Sequence, residues 1–266
     1  MAGLETHYSV RDIEARILAA IRAAGLNPDH HLAPAELGAL DHFHTGGLRA
    51  SRELMELARI QADDRVLDIG AGLAGPARML ASELGCHVKC LELSTDFCAG
   101  AMLLNRLTGL DDRIQVHKGS ALDMPFPNES FEVVWMQNVG MNIADKQKLY
   151  GEIHRVLKTG GRFAFQELAA GNAATSYFPL PWATDPADSF LVSAEAMRSA
   201  LADSGFVCEA FEDTSDVHLG RTAAEAAPNA LTLGVYVDNL AQKAANARRS
   251  LEEGLIRLVR GVFRVK

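Results

Sequence analysis

The 266-residue sequence is poor in cysteine and contains no hydrophobic run of membrane-spanning length. Its four cysteines show no pair spacing typical of zinc or redox motifs, so we expect free thiols, no metal site and a reduced, cytoplasmic protein. The first residues lack the apolar core and the cleavage site of a secretory signal. Since crossing a bilayer takes about 20 apolar residues, we also expect no membrane partner.

Clustered basic residues are scarce too, and the formal net charge is −8 at pH 7. Nucleic-acid phosphates require grouped Lys and Arg side chains, so the expected partner is a small molecule and not a nucleic acid. With 48% hydrophobic residues the chain can bury a full core. We expect an N-terminal helical cap or lid over residues 1–50 and one main domain over residues 51–266. The oligomeric state stays open, with a homodimer as one option.

A short apolar run that breaks into glycines, V-L-D-I-G-A-G-L-A-G at residues 66–75, organises the sequence. It predicts a buried strand that enters a nucleotide-binding turn. We expect Gly70 to allow the turn, Gly72 to let backbone N–H groups approach a ligand, and Gly75 to let the next helix pack on the strand. The same glycines satisfy the dinucleotide fingerprint, which is weak evidence by itself.

Two acidic residues accompany this turn. Asp68 lies two residues before the first glycine, at a position where dinucleotide folds usually keep an apolar residue. An acid there suits a ligand with a cationic amino-acid end, such as S-adenosylmethionine. Glu92 ends the next apolar run and suits the two hydroxyls of a ribose. Both ligand classes need that second acid, so only Asp68 favours S-adenosylmethionine over a dinucleotide.

Predicted strands alternate with predicted helices from residue 65 onward. The alternation predicts an α/β fold with a Rossmann-like, doubly wound sheet of about seven strands, mostly parallel with an antiparallel terminal strand. An N-terminal amphipathic helix is expected over residues 10–24. The strands are placed at residues 66–69, 87–91, 114–118, 133–137, 162–166, 206–211 and 258–265.

Two segments interrupt this alternation. A proline-stiffened aromatic insert covers residues 168–192, and a mainly helical segment covers residues 213–250. Ligands of open α/β sheets bind outside the carboxyl ends of the strands, so we expect both segments over the active site. The other interpretation of the insert is an aromatic brace packed on the core.

Further motifs resemble one known family. With the glycine turn, they resemble class I S-adenosylmethionine-dependent methyltransferases of small molecules, over about residues 40–212 and the final strand. Within that family the sequence looks most like sarcosine and dimethylglycine methyltransferases, and more broadly like phosphoethanolamine and tocopherol methyltransferases. The motifs are H-T-G-G-L at residues 44–48, G-S-A-L-D-M-P-F at 119–126, S-F-E-V-V-W at 130–135 and R-V-L-K-T-G-G-R at 155–162.

The resemblance implies S-adenosylmethionine as the cofactor and S-adenosylhomocysteine as its product. By position, it implies that Asp68 holds the methionine part, Glu92 the ribose and Ala121 the adenine edge. Ser120 stands where most relatives carry Asp, and a hydroxyl accepts a hydrogen bond less strongly than a carboxylate. The implied cofactor set is Phe43, His44, Asp68, Gly70, Ala71, Gly72, Glu92, Leu93, Ser120, Ala121, Leu122 and Gln137.

The resemblance also implies candidates around the transferred methyl group. The catalytic candidates are His44, Tyr8 and Asn142, and His42 is a second candidate base. Asn142 departs from the family, since phosphoethanolamine methyltransferases carry a catalytic histidine at that position. In the acceptor pocket, Arg221 is the candidate partner of a substrate carboxylate. The candidate pocket residues are His42, Asn138, Met141, Tyr177, Phe178, Trp182 and Arg221.

The sequence therefore predicts a methyltransferase that acts on a small molecule, with N- or O-methylation favoured. Two alternatives stay open. One is a cofactor-binding sensor or pseudo-enzyme, which the asparagine at position 142 supports. The other is an NAD(P)-dependent oxidoreductase, which would use the same glycine turn for a dinucleotide.

Overall fold

The computed structural model of the chain describes residues 10–172, 175–220 and 231–266. A seven-stranded sheet forms its centre. The strands are β1 (Arg65–Ile69), β2 (His87–Glu92), β3 (Ile114–Lys118), β4 (Phe131–Gln137), β5 (Leu157–Ala170), β6 (Phe206–Asp213) and β7 (Ile256–Val265).

Helices cover both faces of this sheet. In the part of the chain that the structure describes, no helix is both long and apolar enough to cross a membrane. The α-helices are α1 (Ile13–Ala23), α2 (Gly47–Ala58), α3 (Gly75–Leu84), α4 (Thr95–Leu107), α5 (Lys146–Val156), α6 (Ala194–Asp203), α7 (Ser215–Leu219) and α8 (Leu240–Glu252). Short 3-10 turns lie at Pro34–Asp41, Gly140–Asn142, Pro186–Asp188 and Leu233–Val235.

The strand order is β3-β2-β1-β4-β5-β7-β6. The five strands from β3 to β5 pair in parallel, whereas β7 is antiparallel to both of its neighbours, β5 and β6. The predicted α/β sheet with an antiparallel terminal strand is confirmed. Because the strand order reverses between β1 and β4, a crevice opens there at the carboxyl ends of the strands.

Strand β5 is longer than its predicted core of residues 162–166. It begins at Leu157, directly after α5, because Leu157 pairs with Phe131, with a register shift before the pairing resumes at Val133 and Arg162. At its other end it continues to Ala170, because β7 pairs with it residue by residue from Arg162 to Ala170. The first three residues of the predicted insert, 168–170, are therefore part of the sheet.

The N-terminal helix packs on the sheet layer through one apolar face. Ile13, Ile17 and Ile21 are buried and lie against α4. At the start of the described chain, the Val10 N–H donates to Asp96 Oδ2 at 2.7 Å. Tyr236, from the far end of the sequence, completes this apolar cluster and donates its hydroxyl proton to the Leu40 carbonyl at 2.9 Å.

A buried ion pair joins this N-terminal unit to the helix that follows the glycine turn. Arg78 of α3 is 0% exposed, and its Nε donates to Asp41 Oδ2 at 3.0 Å. A second guanidinium nitrogen donates to Asp41 Oδ1 and to the Leu73 carbonyl. The third donates to Asn105 Oδ1 of α4 at 2.6 Å. One guanidinium therefore fixes the relative positions of three segments.

Gly75 was predicted to let the next helix pack on the strand, but in the structure it makes room for the backbone of Asp41. A Cβ atom built on it would lie 1.6 Å from the carbonyl oxygen of Asp41. The third glycine of the motif is therefore required by the N-terminal segment, which runs over the start of α3. This contact joins residues 34 positions apart in sequence, so the local pattern could not reveal it.

We expect Arg78→Met to destabilise the protein by about 3–5 kcal/mol, because it leaves the Asp41 carboxylate buried without its cation. Urea denaturation would measure the loss. Arg52→Met is the matched control: Arg52 pairs with Glu83 at 2.7 Å, but its side chain is 51% exposed, so its loss should cost below about 1 kcal/mol. Similar small losses in both variants would contradict the role assigned to the buried pair.

Candidate functional site

A large cavity lies where the strand order reverses. Its volume is ≈ 850 Å³, which is within the range of small-molecule sites. The ends of β1, β2 and β4 form its floor, the segment 43–46 forms one wall, and the insert with α7 and α8 forms the other. Described residues from both predicted segments, among them Trp182, Phe190 and Ala244, thus line the same cavity as the glycine turn.

The glycine turn after β1 has the backbone conformation that its sequence predicts. Gly70 and Gly72 have φ angles of 63° and 56°, which side-chain-bearing residues rarely adopt. A Cβ on Gly70 would lie 2.4 Å from the side chain of Val139. A Cβ on Gly72 would meet no atom within 4 Å. Gly70 thus lets the loop after β4 close over the turn, and the position of Gly72 leaves space for a ligand.

Asp68 presents a buried carboxylate to this cavity. It is 2% exposed, and its Oδ2 atom makes no hydrogen bond to any described residue. Burial, together with the nearby charge of Glu92, raises the pKa of Asp68 to about 8, although Arg78 opposes this shift. A buried anion without a partner is costly, so the site favours a cationic ligand group at this position.

Glu92 lies beside it at the end of β2. Its Oε2 accepts from the Gly72 N–H at 2.8 Å, and its Oε1 accepts from the Ser94 N–H at 2.8 Å. Burial nevertheless raises the pKa of Glu92. These two bonds fix the carboxylate in the cavity wall and leave lone pairs for further donors.

The segment after β3 supplies the neighbouring wall. Ser120, Ala121 and Leu122 line the cavity, as does Leu93 after β2. The Ser120 hydroxyl accepts from the Leu122 N–H at 3.1 Å, which holds this segment in a tight turn. The residue that departs from the family pattern therefore stabilises the local backbone.

A chain of hydrogen bonds runs from the core to His44. The Trp135 indole N–H donates to Gln137 Oε1 at 3.0 Å, and the Ser51 hydroxyl donates to the same oxygen at 3.0 Å. Ser51 Oγ is also 2.9 Å from His44 Nε2, and the Gly47 carbonyl lies 3.2 Å from that nitrogen. Gln137 Nε2 is buried and makes no hydrogen bond to a described residue.

This chain determines the tautomer of His44. Indole N–H is only a donor, so the atom of Gln137 that it contacts is the oxygen. Ser51 must then donate its single proton to that oxygen and accept from His44 Nε2–H. The Gly47 carbonyl requires the same proton on Nε2. His44 Nδ1 therefore carries the lone pair.

His44 is also held neutral. Burial, followed by the charge of His42, lowers the pKa of His44 to about 3, although the bond to Gly47 opposes this shift. Burial and the charges of Arg78 and Arg52 lower the pKa of His42 to about 4. The two rings meet edge to face at 5.5 Å. His44 lines the cavity as a neutral hydrogen-bond acceptor, while His42 lies behind it and is not part of the cavity wall.

The loop after β4 is held by residues that the sequence analysis did not single out. Glu167 of β5 is 2% exposed, and its Oε1 accepts from the N–H groups of Val139 and Gly140 at 2.9 and 3.0 Å. Burial raises the pKa of Glu167 to about 7. Lys146 donates to the carbonyls of Gly140, Ile143 and Phe190. Both side chains therefore position a loop that forms part of the cavity wall.

The same loop carries two of the predicted pocket residues, Asn138 and Met141, and the catalytic candidate Asn142. Asn138, Met141 and Asn142 all line the cavity. Asn138 Nδ2 donates to Thr45 Oγ1 at 3.0 Å, and Gln166 Nε2 donates to the Thr45 carbonyl at 2.7 Å. The segment 43–46 and the loop after β4 are thus tied together across the cavity.

Of the three insert residues predicted to line the acceptor pocket, only Trp182 lines the cavity. Trp182 is in the cavity wall, 3% exposed, with its indole N–H bonded to Ser189 Oγ at 3.0 Å. Tyr177 is instead on the outside, where its hydroxyl donates to Glu253 at 2.7 Å and its ring stacks under Arg249. Phe178 packs on the apolar cluster around Trp182 and does not line the cavity. Tyr8 and Arg221 lie outside the described residues.

One face of α8 forms a cavity wall, and none of its residues was among the predicted site residues. Leu240, Ala244, Ala247 and Leu251 all line the cavity. Their spacing of four, three and four residues is the signal that could have found them. The segment 213–250 was expected over the active site, but the side chains that face the cavity were not identified. Within the described ranges, no cluster of three or more His, Cys, Asp or Glu residues could hold a metal ion.

Comparison with known proteins agrees with this geometry. A methyltransferase-domain family matches residues 67–165. A glycine/sarcosine/dimethylglycine N-methyltransferase from Actinopolyspora halophila is 33% identical over 180 residues, which cover 66% of this chain and 32% of that protein. A sterol 24-C-methyltransferase from Eremothecium gossypii is 32% identical over 182 residues, which cover 66% and 49%. The chain thus spans about a third to a half of the length of these relatives.

The fold has a solved counterpart. The structure of Haemonchus contortus phosphoethanolamine N-methyltransferase 2, in complex with phosphomonomethylethanolamine and S-adenosylhomocysteine, matches with a TM-score of 0.70 at 18% identity. The match covers 96% of this chain and 58% of that one. At this identity the match establishes the fold alone.

We expect His44 to be neutral and protonated on Nε2 from pH 5 to pH 8, with a pKa of about 3. Long-range ¹H–¹⁵N NMR correlations of the imidazole would test this. Because the unfolded imidazole takes up a proton below about pH 6.5, the folded state should lose stability as the pH falls below that value.

Ser51→Ala is the companion variant, since it removes one of the two acceptors of Nε2–H. It should shift part of the His44 population to the Nδ1–H tautomer. A wild-type titration midpoint near pH 6.5, or an Nδ1–H tautomer in the wild type, would contradict the assignment.

Proposed function

We propose that this chain, which carries a methyltransferase domain of the class I S-adenosylmethionine-dependent family, transfers the methyl group of S-adenosylmethionine to a small-molecule acceptor. The observation that carries the proposal is the buried Asp68 carboxylate beside the glycine turn, whose Oδ2 makes no hydrogen bond to a described residue. The positive charge of an oxidised nicotinamide lies on a ring nitrogen without an N–H, so it does not donate a hydrogen bond to that acid. An amino-acid end with an ammonium group does.

The residues that line the cavity match each part of S-adenosylmethionine in turn. Asp68 would hold the ammonium group, and the space over Gly72 would admit the methionine chain. Glu92 would accept from the ribose hydroxyls with the lone pairs that Gly72 and Ser94 leave unused. The turn at residues 120–122 would border the adenine. When bound, the cofactor supplies an electrophilic methyl group on a positively charged sulfur.

The contribution of the protein to the transfer is mainly alignment. Holding the acceptor in line with the methyl group can supply about 7–11 kcal/mol of the barrier reduction. The rigid parts available for this are the segment 43–46 and the loop after β4, which Thr45 and Asn138 tie together. We propose that residues 1–50 act as a cap that completes this wall and keeps water out.

His44 then serves as a hydrogen-bond acceptor rather than a strong base. Its Nδ1 lone pair can receive the N–H or O–H of an acceptor and turn that atom's own lone pair toward the methyl group. With a pKa of about 3, its imidazole holds a proton weakly at neutral pH. This favours an acceptor that loses its proton easily to solvent. Asn142, in the same wall, supplies an amide at the position where phosphoethanolamine methyltransferases carry a histidine.

The cell compartment and the class of partner are inferred from the cysteines and the charge balance. We propose a cytoplasmic enzyme that acts on small molecules and not on nucleic acids. The support is that all four cysteines are free thiols and that acidic residues exceed basic ones, 34 against 26.

The proposal predicts that S-adenosylhomocysteine binds more tightly as the pH rises from 6 to 8. In the free protein Asp68 has a pKa of about 8, so an ammonium group that pairs with its carboxylate must displace a proton. One displaced proton changes the affinity by up to about tenfold per pH unit. Calorimetric titration in buffers of different ionisation enthalpy would measure both the affinity and the proton release. NAD titrated in the same way should not bind.

Asp68→Asn is the control variant. It should weaken S-adenosylhomocysteine by about 1.5–3 kcal/mol through loss of a charge-assisted bond and remove the pH dependence. Because the raised pKa of Asp68 makes the wild-type fold less stable as the pH rises through 8, the variant should also unfold at a higher temperature at pH 9. A pH-independent affinity in the wild type would overturn this use of Asp68.

A further inference from the structure

The half of the cavity farthest from the glycine turn has mainly apolar walls. We call this half the outer chamber and define it by Met141, Leu168, Trp182, Phe190 and the α8 residues Ala247 and Leu251. Three separate parts of the chain build it: the loop after β4, the insert, and α8. Each of them contributes apolar side chains.

The α8 face is apolar and only partly packed: Leu240 lies against the N-terminal apolar cluster, and Ala247 and Leu251 lie against the cluster around Trp182. Leu240, Ala244, Ala247 and Leu251 form one stripe on the helix. A surface helix normally buries such a stripe in a core. Here only Leu251 is buried, whereas Leu240 and Ala247 are half-buried and Ala244 is exposed. Ala247 leaves depth in the chamber that a larger side chain would fill.

The opposite wall has the same character. Met141, Leu168 and Trp182 are buried at its base, with 4%, 5% and 3% exposure. Phe190 projects above them and is 38% exposed. The polar end of Trp182 is already bonded to Ser189, so it offers the chamber only its ring. Neither wall therefore presents many groups that would bind a polar ligand body.

Charged groups lie at the rim. Asp145 and Asp188 are exposed cavity residues, and both would repel a carboxylate. Among the described residues of this wall, the basic side chains are Arg248 and His218. Arg248 is exposed and pairs with Glu252 at 2.8 Å across one turn of α8. The expected pairing of a buried substrate carboxylate thus has no support from these charges, and its predicted partner, Arg221, lies outside the described residues.

We propose that the acceptor is a predominantly apolar molecule, with a hydrocarbon body that occupies the outer chamber and one nucleophilic group that reaches the loop after β4. This inference rests on the proposed methyl transfer and gives its substrate class. It differs from an amino-acid acceptor such as sarcosine, because most of the binding free energy comes from apolar burial.

The test uses the full-length protein saturated with S-adenosylhomocysteine, with primary n-alkanols of four to ten carbons as probes. Binding is followed by calorimetry and by the tryptophan fluorescence, to which Trp135 and Trp182 both contribute. We expect the affinity to rise about fourfold per methylene group while the chamber fills, which corresponds to about 0.8 kcal/mol. Sarcosine and dimethylglycine should bind more weakly than the longer alkanols.

Ala247→Trp should fill the chamber and reduce the affinity for the eight- and ten-carbon alkanols at least tenfold, with unchanged affinity for S-adenosylhomocysteine. Ala247→Leu, a milder change, should give an intermediate loss. Ala245→Trp is the matched control, since Ala245 is exposed on α8 and does not line the cavity. It should change neither affinity.

The outcomes separate the two proposals. If S-adenosylhomocysteine does not bind the wild type, the proposed function fails. If it binds but alkanol affinity is independent of chain length, or if sarcosine binds more tightly than every alkanol, the apolar acceptor is overturned. Equal losses from Ala247→Trp and Ala245→Trp would also overturn it, because the effect would not come from the chamber.

Discussion

The ion pair between Asp41 and Arg78 is the constraint on which the site depends. Removing both charges from water is costly, and the cost is offset only because the guanidinium also donates to Leu73 and Asn105. The geometry is therefore demanding, and it places the N-terminal segment directly over the start of α3. The Asp41 carbonyl then occupies the space that Gly75 leaves. The next residues, Phe43 to Gly46, become a wall of the cavity.

The two halves of that cavity offer a ligand different kinds of interaction. Around the glycine turn, buried acids and backbone amides surround a space whose polar groups are incompletely satisfied among the described residues, Asp68 Oδ2 above all. In the outer chamber most wall residues are apolar, and the charged groups lie at the rim. The first half can recognise a ligand through its charge and through directional hydrogen bonds. The second can recognise one only through shape and removal of apolar surface from water.

Between the two halves lies a layer of positioning residues. Glu167 and Lys146 both hold the loop after β4, Glu167 through the loop's N–H groups and Lys146 through its carbonyls. Ser51 and Gln137 hold His44 in one tautomer. None of these four side chains needs to react, yet each limits where an acceptor and a methyl group can meet. A rigid boundary of this kind is what a direct displacement requires of its enzyme.

The sequence by itself determined the sheet, the glycine turn and the positions of the two acids. These follow from short-range rules: apolar runs predict strands, and the carboxyl ends of parallel strands meet at one edge, so Asp68 and Glu92 had to be neighbours. Only the tertiary structure decided the contacts of Arg78, Ser51, Glu167 and the α8 stripe. It also placed Tyr177 on the outer surface, whereas Trp182, five residues later, faces the cavity. Such choices depend on partners distant in the chain, and a local pattern of hydrophobicity carries no information about which distant surface a side chain will meet.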